Sequence, residues 1–407
     1  MLGNGNNKKI KMSNKNVGIV LDKEFYSDTR VSKEADILVK NGFNVFVLCY
    51  SFKNYDYSKV QPIEVTSIKL SKKFKNILFF LFQRLPIYEY LWSKKIRQFI
   101  LENSIDTIHA HDLYMSKCAH KAIKSSKKEV ELILDLHENY PVAVNSYNWT
   151  KGSLRGLIAN TTIWFKKEKE YLSYADKIIV LSDNFKNSLI ERYDFLQSEN
   201  IYSFDNSIDL KKFESFSIKT LTKTKNRTTL FYFGVIGQRR GVFTLLSVFQ
   251  KAIERGLKID LLFVGPIDKA DEKTFKEWIT NPSIKENVNH IPWIDLSELP
   301  SYLNSIDICV CPLIKNAQHE SGIANKIFQY LFGAKAIIAS DCLPQQQLIE
   351  SFNCGLVYAN EDEFLACIEQ LVNDESLRKE MGENGKEMLY QNYDNQKQDH
   401  TLIQIFK

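Results

Sequence analysis

Short apolar runs alternate with longer amphipathic stretches along this chain, and the alternation stops once and restarts. VGIVL (17–21) precedes TRVSKEADILVKNG, whose apolar positions recur at helical spacing up to Gly42, and NVFVLCY (44–50) follows. DTIHAHD (106–112), ELILDLHE (131–138), KIIVLS (177–182) and NIYSFDN (200–206) repeat the theme, each followed by a polar helical segment. Brief β-branched or aromatic runs alternating with helices predict βαβ units on a parallel sheet. The pattern lapses in NSIDLKKFESFSIKTLTKTKNRT (206–228), which is polar and poorly periodic and reads as an interdomain linker. It resumes with TLFYFGVIG (229–237), then DLLFVGP, VNHIPW, ICVCPL, AIIASD and GLVYA.

The expected architecture is therefore α/β: a first doubly wound, Rossmann-like domain over 17–206, a linker over 207–228 and a second such domain over 229–382. A helical segment over 383–407 is expected to cross back to the first domain. The polar first sixteen residues read as a disordered tail and not as a signal peptide. Sheets of this kind bind ligands at the carboxyl ends of their strands, so two facing domains predict a central cleft.

Composition narrows the class. The 407 residues exceed one ordinary core and suit two domains. No run approaches the roughly 18 continuous apolar residues of a membrane span. Seven scattered cysteines in apolar settings predict reduced, buried thiols and a cytoplasmic location. Cys309 and Cys311 read as strand residues, because no second Cys pair or His cluster completes a metal set. The net charge of +5 is concentrated in the first half. Residues 1–210 carry 31 Lys+Arg against 24 Asp+Glu, and the remainder 23 against 25. A basic first half suits an anionic partner such as a membrane surface, peripherally and at its inner face. The segment KKFKNILFFLF (72–82) could lie in such an interface or form a core helix with a basic edge. Nothing argues for nucleic acid.

Candidate chemistry falls just after strands. In FGVIGQRRG, glycines including Gly237 allow close backbone approach, and Arg239 and Arg240 bring positive charge to a helix start, which its macrodipole disfavours unless an anion sits there. HESGIANKIFQYLFG (319–333) obeys the same logic. Ile323, Ile327, Tyr330 and Leu331 share one helical face, while Asn325, Lys326 and Gln329 share another. In the first half, His111–Asp112 and His137–Glu138 end successive strands, and Asp28 and Arg30 open the first helix; these are acceptor-side candidates, with an N-cap and a surface charge as the plain alternative for the last two. No Asp-x-Asp occurs, so a bound nucleotide diphosphate would rely on protein cations and helix termini, with no metal expected.

These segments resemble the group 1 (family 4) retaining glycosyltransferases, which have the GT-B fold. GQRRG is similar to that family's basic Gly-rich turn. HESGIANKIFQYLFGAKAIIASD is similar to its signature block, in which PxKxxEYMAxGxPVIAS follows a strand; DTRVSKEADILVKNGFNVFV, HAHD, DLHE and ADKIIVLS complete the likeness. The resemblance implies a retaining, metal-independent transferase. It would move a sugar from a nucleotide diphosphate sugar, UDP-sugar favoured, to a glycan or lipid-linked acceptor in surface polysaccharide or glycoconjugate synthesis. Gln329 stands where the family's second signature acid holds the ribose. Eight residues earlier, at the first acid, stands Ser321, with Glu320 one residue off register; either, or the Gly322 N–H, would contact the donor sugar. Arg240 and Lys326 match basic positions for the diphosphate, His111 matches the cleft-facing histidine, residues 322–324 open the helix at the phosphate, and backbone near Ile294 would hold the base. A GT-B sugar-nucleotide epimerase and a non-catalytic glycosyltransferase-like subunit are the alternatives.

Overall fold

The structure is a computed structural model that describes residues 15–52, 62–81, 85–144, 161–221 and 226–407. The tail expected over residues 1–16 lies outside them except for Lys15 and Asn16, and Asn16 already begins a strand. Two parallel sheets carry the molecule. The first holds β1 (Asn16–Val20), β2 (Asn44–Ser51), β3 (Glu64–Lys69), β4 (Thr107–His111), β5 (Glu131–Asp135), β6 (Lys177–Val180) and β7 (Ile201–Ser203), in the order β3-β2-β1-β4-β5-β6-β7. The second holds β8 (Thr228–Phe233), β9 (Ile259–Val264), β10 (Val288–Ile291), β11 (Ile308–Cys311), β12 (Ala336–Ser340) and β13 (Gly355–Tyr358), in the order β10-β9-β8-β11-β12-β13. Chain direction across each sheet reverses beside its first strand, between β1 and β4 and between β8 and β11. Such switch points open a crevice at the strands' carboxyl ends, and the candidate residues gather there.

The continuous apolar runs become central strands because both their faces are covered. β4, β11 and β12 are buried along their whole length. β3, an alternating edge strand half open to solvent, carries no such run and escaped the sequence pattern. The stretch read as a linker is more ordered than expected. It contains a helix, Leu210–Glu214, capped by Asp209, and Ile208, Leu210 and Phe213 are buried in the second domain's core.

The C-terminal segment does not begin at 383. One helix, Glu375–Asn392, runs straight through that point. Gly382 and Gly385 lie inside this helix, and close packing explains their missing side chains: a Cβ at Gly382 would lie 2.2 Å from the Ala334 carbonyl oxygen, and one at Gly385 would lie 2.5 Å from Leu331. The last helix, Asn395–Phe406, docks on the first domain, where Leu402, Ile405 and Phe406 join the core of Val17, Ile19 and Val31. Lys177 and Lys15 donate to the carbonyls of Ile405 and Phe406 at 2.6 and 3.2 Å, satisfying acceptors that a helix end leaves open. Among the described residues no helix is long and apolar enough to cross a membrane.

Candidate active site

A cavity of about 420 Å³ lies between the domains. His137, Glu138, Leu181 and Asn206 form its first-domain wall; Phe233 to Val235, Arg240, Leu313, Gln318, His319 and the segment Gly322 to Lys326 with Gln329 form the other. A second cavity of about 290 Å³ shares Asn206, Asn325 and Gln329 and continues toward Tyr26, Lys33, Asp209 and Leu296. The walls meet through Ser182 Oγ donating to Ser321 O at 2.8 Å and Gln318 Nε2 donating to Glu138 Oε2 at 3.1 Å. At Gly322 a Cβ would come within 2.8 Å of Leu181, so the absent side chain permits the close approach.

The second-domain wall is cationic. The turn Gln238–Arg240 after β8 ends at Gly241, whose φ is 70°. A Cβ there would sit 1.5 Å from Pro312 O, so only glycine lets this turn lie on the exit of β11 and bring Arg240 to the cavity. Lys326 occupies the first turn of the helix Asn325–Phe332. The helix is held by Ile327, Phe328, Tyr330 and Leu331, all buried in the core. Lys326 is itself buried, with Nζ 3.7 Å from the centre of the Tyr232 ring and no hydrogen bond among the described residues. Burial, aided by the nearby Arg240 charge, pushes its pKa down to about 7. A desolvated amine with no counter-ion among the described residues, on a wall that already carries Arg240, is a site prepared for an anion.

The first-domain wall is a buried ion network, in which Glu34, His109 and His111 keep polar atoms without a hydrogen bond among the described residues. His109 and His111 alternate onto one face of β4, Asp135 pairs with His111 across β5, and Arg30 and Glu34 descend from one face of the helix Thr29–Lys40. Arg30 Nε lies 3.0 Å from both Glu34 and Asp135, and its other nitrogens reach Asp135 and the Phe204 carbonyl. Glu34, His109, His111 and Asp135 hold ligand atoms within 4.8 Å of one another, but the guanidinium already supplies a cation between their carboxylates. His137 sits above His111, its Nε2 2.9 Å from His111 Nδ1. Burial opposes its charge, yet Asp135, Asp112 and Asp28 outweigh burial and raise it to about 9, while buried His111 is lowered. Asp112 takes the Tyr114 hydroxyl at 2.9 Å and Lys23 at 3.0 Å.

Two family profiles divide the chain between them. Glycosyltransferase family 4 matches residues 29–212, and glycosyl transferases group 1 matches residues 213–388. The chain belongs to the group 1 glycosyltransferases. It is similar to the capsular polysaccharide biosynthesis glycosyltransferase CapM of Staphylococcus aureus, 24% identical over 308 residues that cover 66% of this chain and 77% of that one. It is also similar to the uncharacterized glycosyltransferase MJ1178 of Methanocaldococcus jannaschii, 23% identical over 88% of both chains. Among solved structures it superimposes on sucrose-phosphate synthase from Thermosynechococcus elongatus, with a TM-score of 0.73, 14% identity and coverage of 96% of this chain and 98% of that one. HepE of Anabaena, solved in complex with UDP, gives a TM-score of 0.68 at 12% identity, covering 96% and 99%. These are GT-B likenesses, and the two facing domains described above have that fold.

In this glycosyltransferase the sequence candidates separate. Arg240, Gly322, Ile323, Asn325, Lys326, Gln329, His137 and Glu138 line the cavity. His111 does not; it lies beneath His137, because as the last residue of β4 it points under the Thr29–Lys40 helix. Arg30 is buried in its ion pairs and borders only the second cavity, Asp28 caps its helix by accepting from Val31, and Asp112 is turned inward to Tyr114. Gly237 packs on Asp268 and Asp271 with Arg239 beside it, and Ile294 is in the core. Glu320 faces Lys315 at 3.8 Å, and Ser321 Oγ is spent on the Ala317 carbonyl at 2.7 Å. Gln318, His319, Leu181 and Asn206 were not anticipated. His319 opens HESGIANKIFQYLFG, but no spacing rule separates it from an ordinary loop residue.

Proposed function

We propose that this group 1 glycosyltransferase moves a sugar from a nucleotide diphosphate sugar, UDP favoured, to a glycan or lipid-linked acceptor, retaining the anomeric configuration and using no metal ion. The single observation carrying this reading is the buried Lys326 amine on the cavity wall beside Arg240, which faces the Tyr232 ring and has no hydrogen bond or ion pair among the described residues. The diphosphate would lie against these two cations and the start of the helix Asn325–Phe332, where positive groups do what a metal does in other transferases. Gln329, one turn further along the same helix, would hold the ribose, and the base would continue into the second cavity toward Leu296. Opposite, cationic His137 and Glu138 would bind hydroxyls. In the reaction the bond from C1 to the phosphate oxygen breaks, and the acceptor oxygen bonds to C1 on the same face. The acceptor's proton passes to the leaving phosphate, whose growing charge Lys326 and Arg240 stabilise. The UDP bound by HepE and the capsular role of CapM are properties of those proteins that agree with this reading.

A lipid-linked acceptor fits the first domain's surface. The helix Lys72–Leu81 exposes Phe74 and Ile77 beside Lys72 and Lys73, and exposed Leu85, Ile87, Tyr90 and Leu91 follow. Apolar side chains flanked by lysines suit the inner, anionic face of a membrane, contacted peripherally; residue 82, the end of that expected segment, lies outside the described residues. The seven free, buried cysteines agree with a cytoplasmic setting.

Incubating the protein with a panel of nucleotide sugars, with and without membrane-lipid acceptors and with EDTA, tests the reading. Acceptor-dependent nucleotide release that survives EDTA is the expected result. Sugar conversion without release would indicate an epimerase, and the absence of a thermal shift with any nucleotide would overturn both enzymatic readings.

A further inference from the structure

We propose that His319, and neither Glu320 nor Ser321, is the residue that recognises the donor sugar, its Nε2 lone pair accepting a hydrogen bond from a sugar hydroxyl. The inference rests on the donor site proposed above and names the contact that selects the sugar within it. The two residues nearest the position of the first signature acid are committed elsewhere. Glu320 faces Lys315 away from the cavity lining, and Lys315 in turn holds Asp341 at 2.8 Å. Ser321 donates its hydroxyl to Ala317 O, and its carbonyl accepts from Ser182.

His319 is 9% exposed and lines the cavity. Its ring is fixed from behind by its own loop. The backbone N–H donates to Asn316 Oδ1 at 3.0 Å, and Nδ1 lies 2.6 Å from the Ile314 carbonyl. A carbonyl can only accept, so the ring proton sits on Nδ1. Asn316 Nδ2, 3.2 Å from the same nitrogen, is already donating to Ile314 O at 3.0 Å. Nε2 is then a lone pair with no hydrogen bond among the described residues, on a ring that borders the cavity. Burial and the charges of Arg240, Arg239 and Lys326 lower the His319 pKa, which keeps the imidazole neutral. A neutral acceptor 91% buried, on the same wall as the proposed phosphate cations, is matched to an uncharged hydroxyl donor. A donor sugar attached to a phosphate held by Arg240 and Lys326 would pass between this ring and His137 with Glu138 across the cleft.

Titration of the whole protein with UDP, UDP-glucose and UDP-galactose separates the possibilities. In His319→Phe, which keeps a ring but no acceptor, UDP should bind within about twofold of wild type, while the better of the two UDP-sugars should lose about tenfold in affinity. Deoxy analogues of that sugar should show the same loss with wild type at one hydroxyl position, and His319→Phe should add nothing further there. His319→Gln, which retains an acceptor, should recover part of the loss; the melting temperature of each variant establishes that it is folded. An equal loss for UDP and UDP-sugar would make His319 a phosphate contact and overturn the inference, as would unchanged UDP-sugar binding or a sugar-specific loss in Glu320→Ala instead. If wild type binds UDP but His319→Phe behaves like it, only this inference fails; if wild type binds no nucleoside diphosphate, the donor site fails and the inference with it.

Discussion

The two walls of the cleft spend their charges in opposite ways. On the first domain the buried charges lie against opposite charges: Arg30 with Asp135 and Glu34, Lys23 with Asp112, and His137 among three carboxylates. On the second, Lys326 is buried against the Tyr232 ring with no hydrogen bond or ion pair among the described residues. A buried ion network holds a fold in one arrangement and is costly to break. A buried cation without a counter-ion weakens the fold and waits for a ligand. The difference separates a wall that shapes the cleft from one that binds, although both are built from strand ends of the same kind of sheet.

Substitutions can break that contrast. Arg30→Met leaves Asp135 and Glu34 buried without their cation and should cost about 3–5 kcal/mol of stability by urea unfolding. Lys326→Met should do the reverse, leaving the unfolding midpoint equal or higher while cutting kcat/KM for transfer by about 10²–10³-fold. Full activity in Lys326→Met would end the assignment of the phosphate site.

A smaller effect should appear in proton linkage. Lys326 sits at about 7, below the ordinary lysine value of 10.5, so between those values the folded protein binds fewer protons than the unfolded chain. Its destabilisation is therefore present below about pH 7 and fades as pH rises across that window. His137, held at about 9, acts oppositely: its stabilisation is complete below its unfolded value near 6.5 and is lost as pH passes 9. A bound diphosphate should restore the Lys326 charge, so UDP binding at pH 8 should take up about one proton, read by calorimetry in buffers of different ionisation enthalpy. Lys326→Met should abolish the uptake. The smallest expected change is in Glu320→Ala. This side chain is 35% exposed, pairs at the surface with Lys315 and does not line the cavity, so the melting temperature and kcat/KM should stay within error of wild type.

Much of the fold was readable in the chain because fully covered parallel strands are written as unbroken apolar runs. What escaped was written differently. β3 is half exposed and alternates, the short Leu210–Glu214 helix hides in a Lys-rich stretch, and Gly382 and Gly385 look like a break although they are contact points. Within the site, Lys326 was legible because a cation in a helix's first turn calls for an anion. The exchange of His111 for His137 at the cleft surface was not, because it depends on which side chain the overlying helix covers. Glu34 and His109 did not stand out at all, since their meaning comes from Arg30 and Asp135, far away in sequence.

By itself the sequence determined the two βα repeats, the strand-end placement of the candidate residues and the family, because apolar periodicity and glycine-bearing turns are local properties. The tertiary structure alone decided which polar groups are satisfied and which are left over. Burial, pairing and pKa arise from residues brought together across domains. Lys326 became a waiting cation and His319 a neutral acceptor only when Tyr232, Ile314 and the opposite wall closed around them.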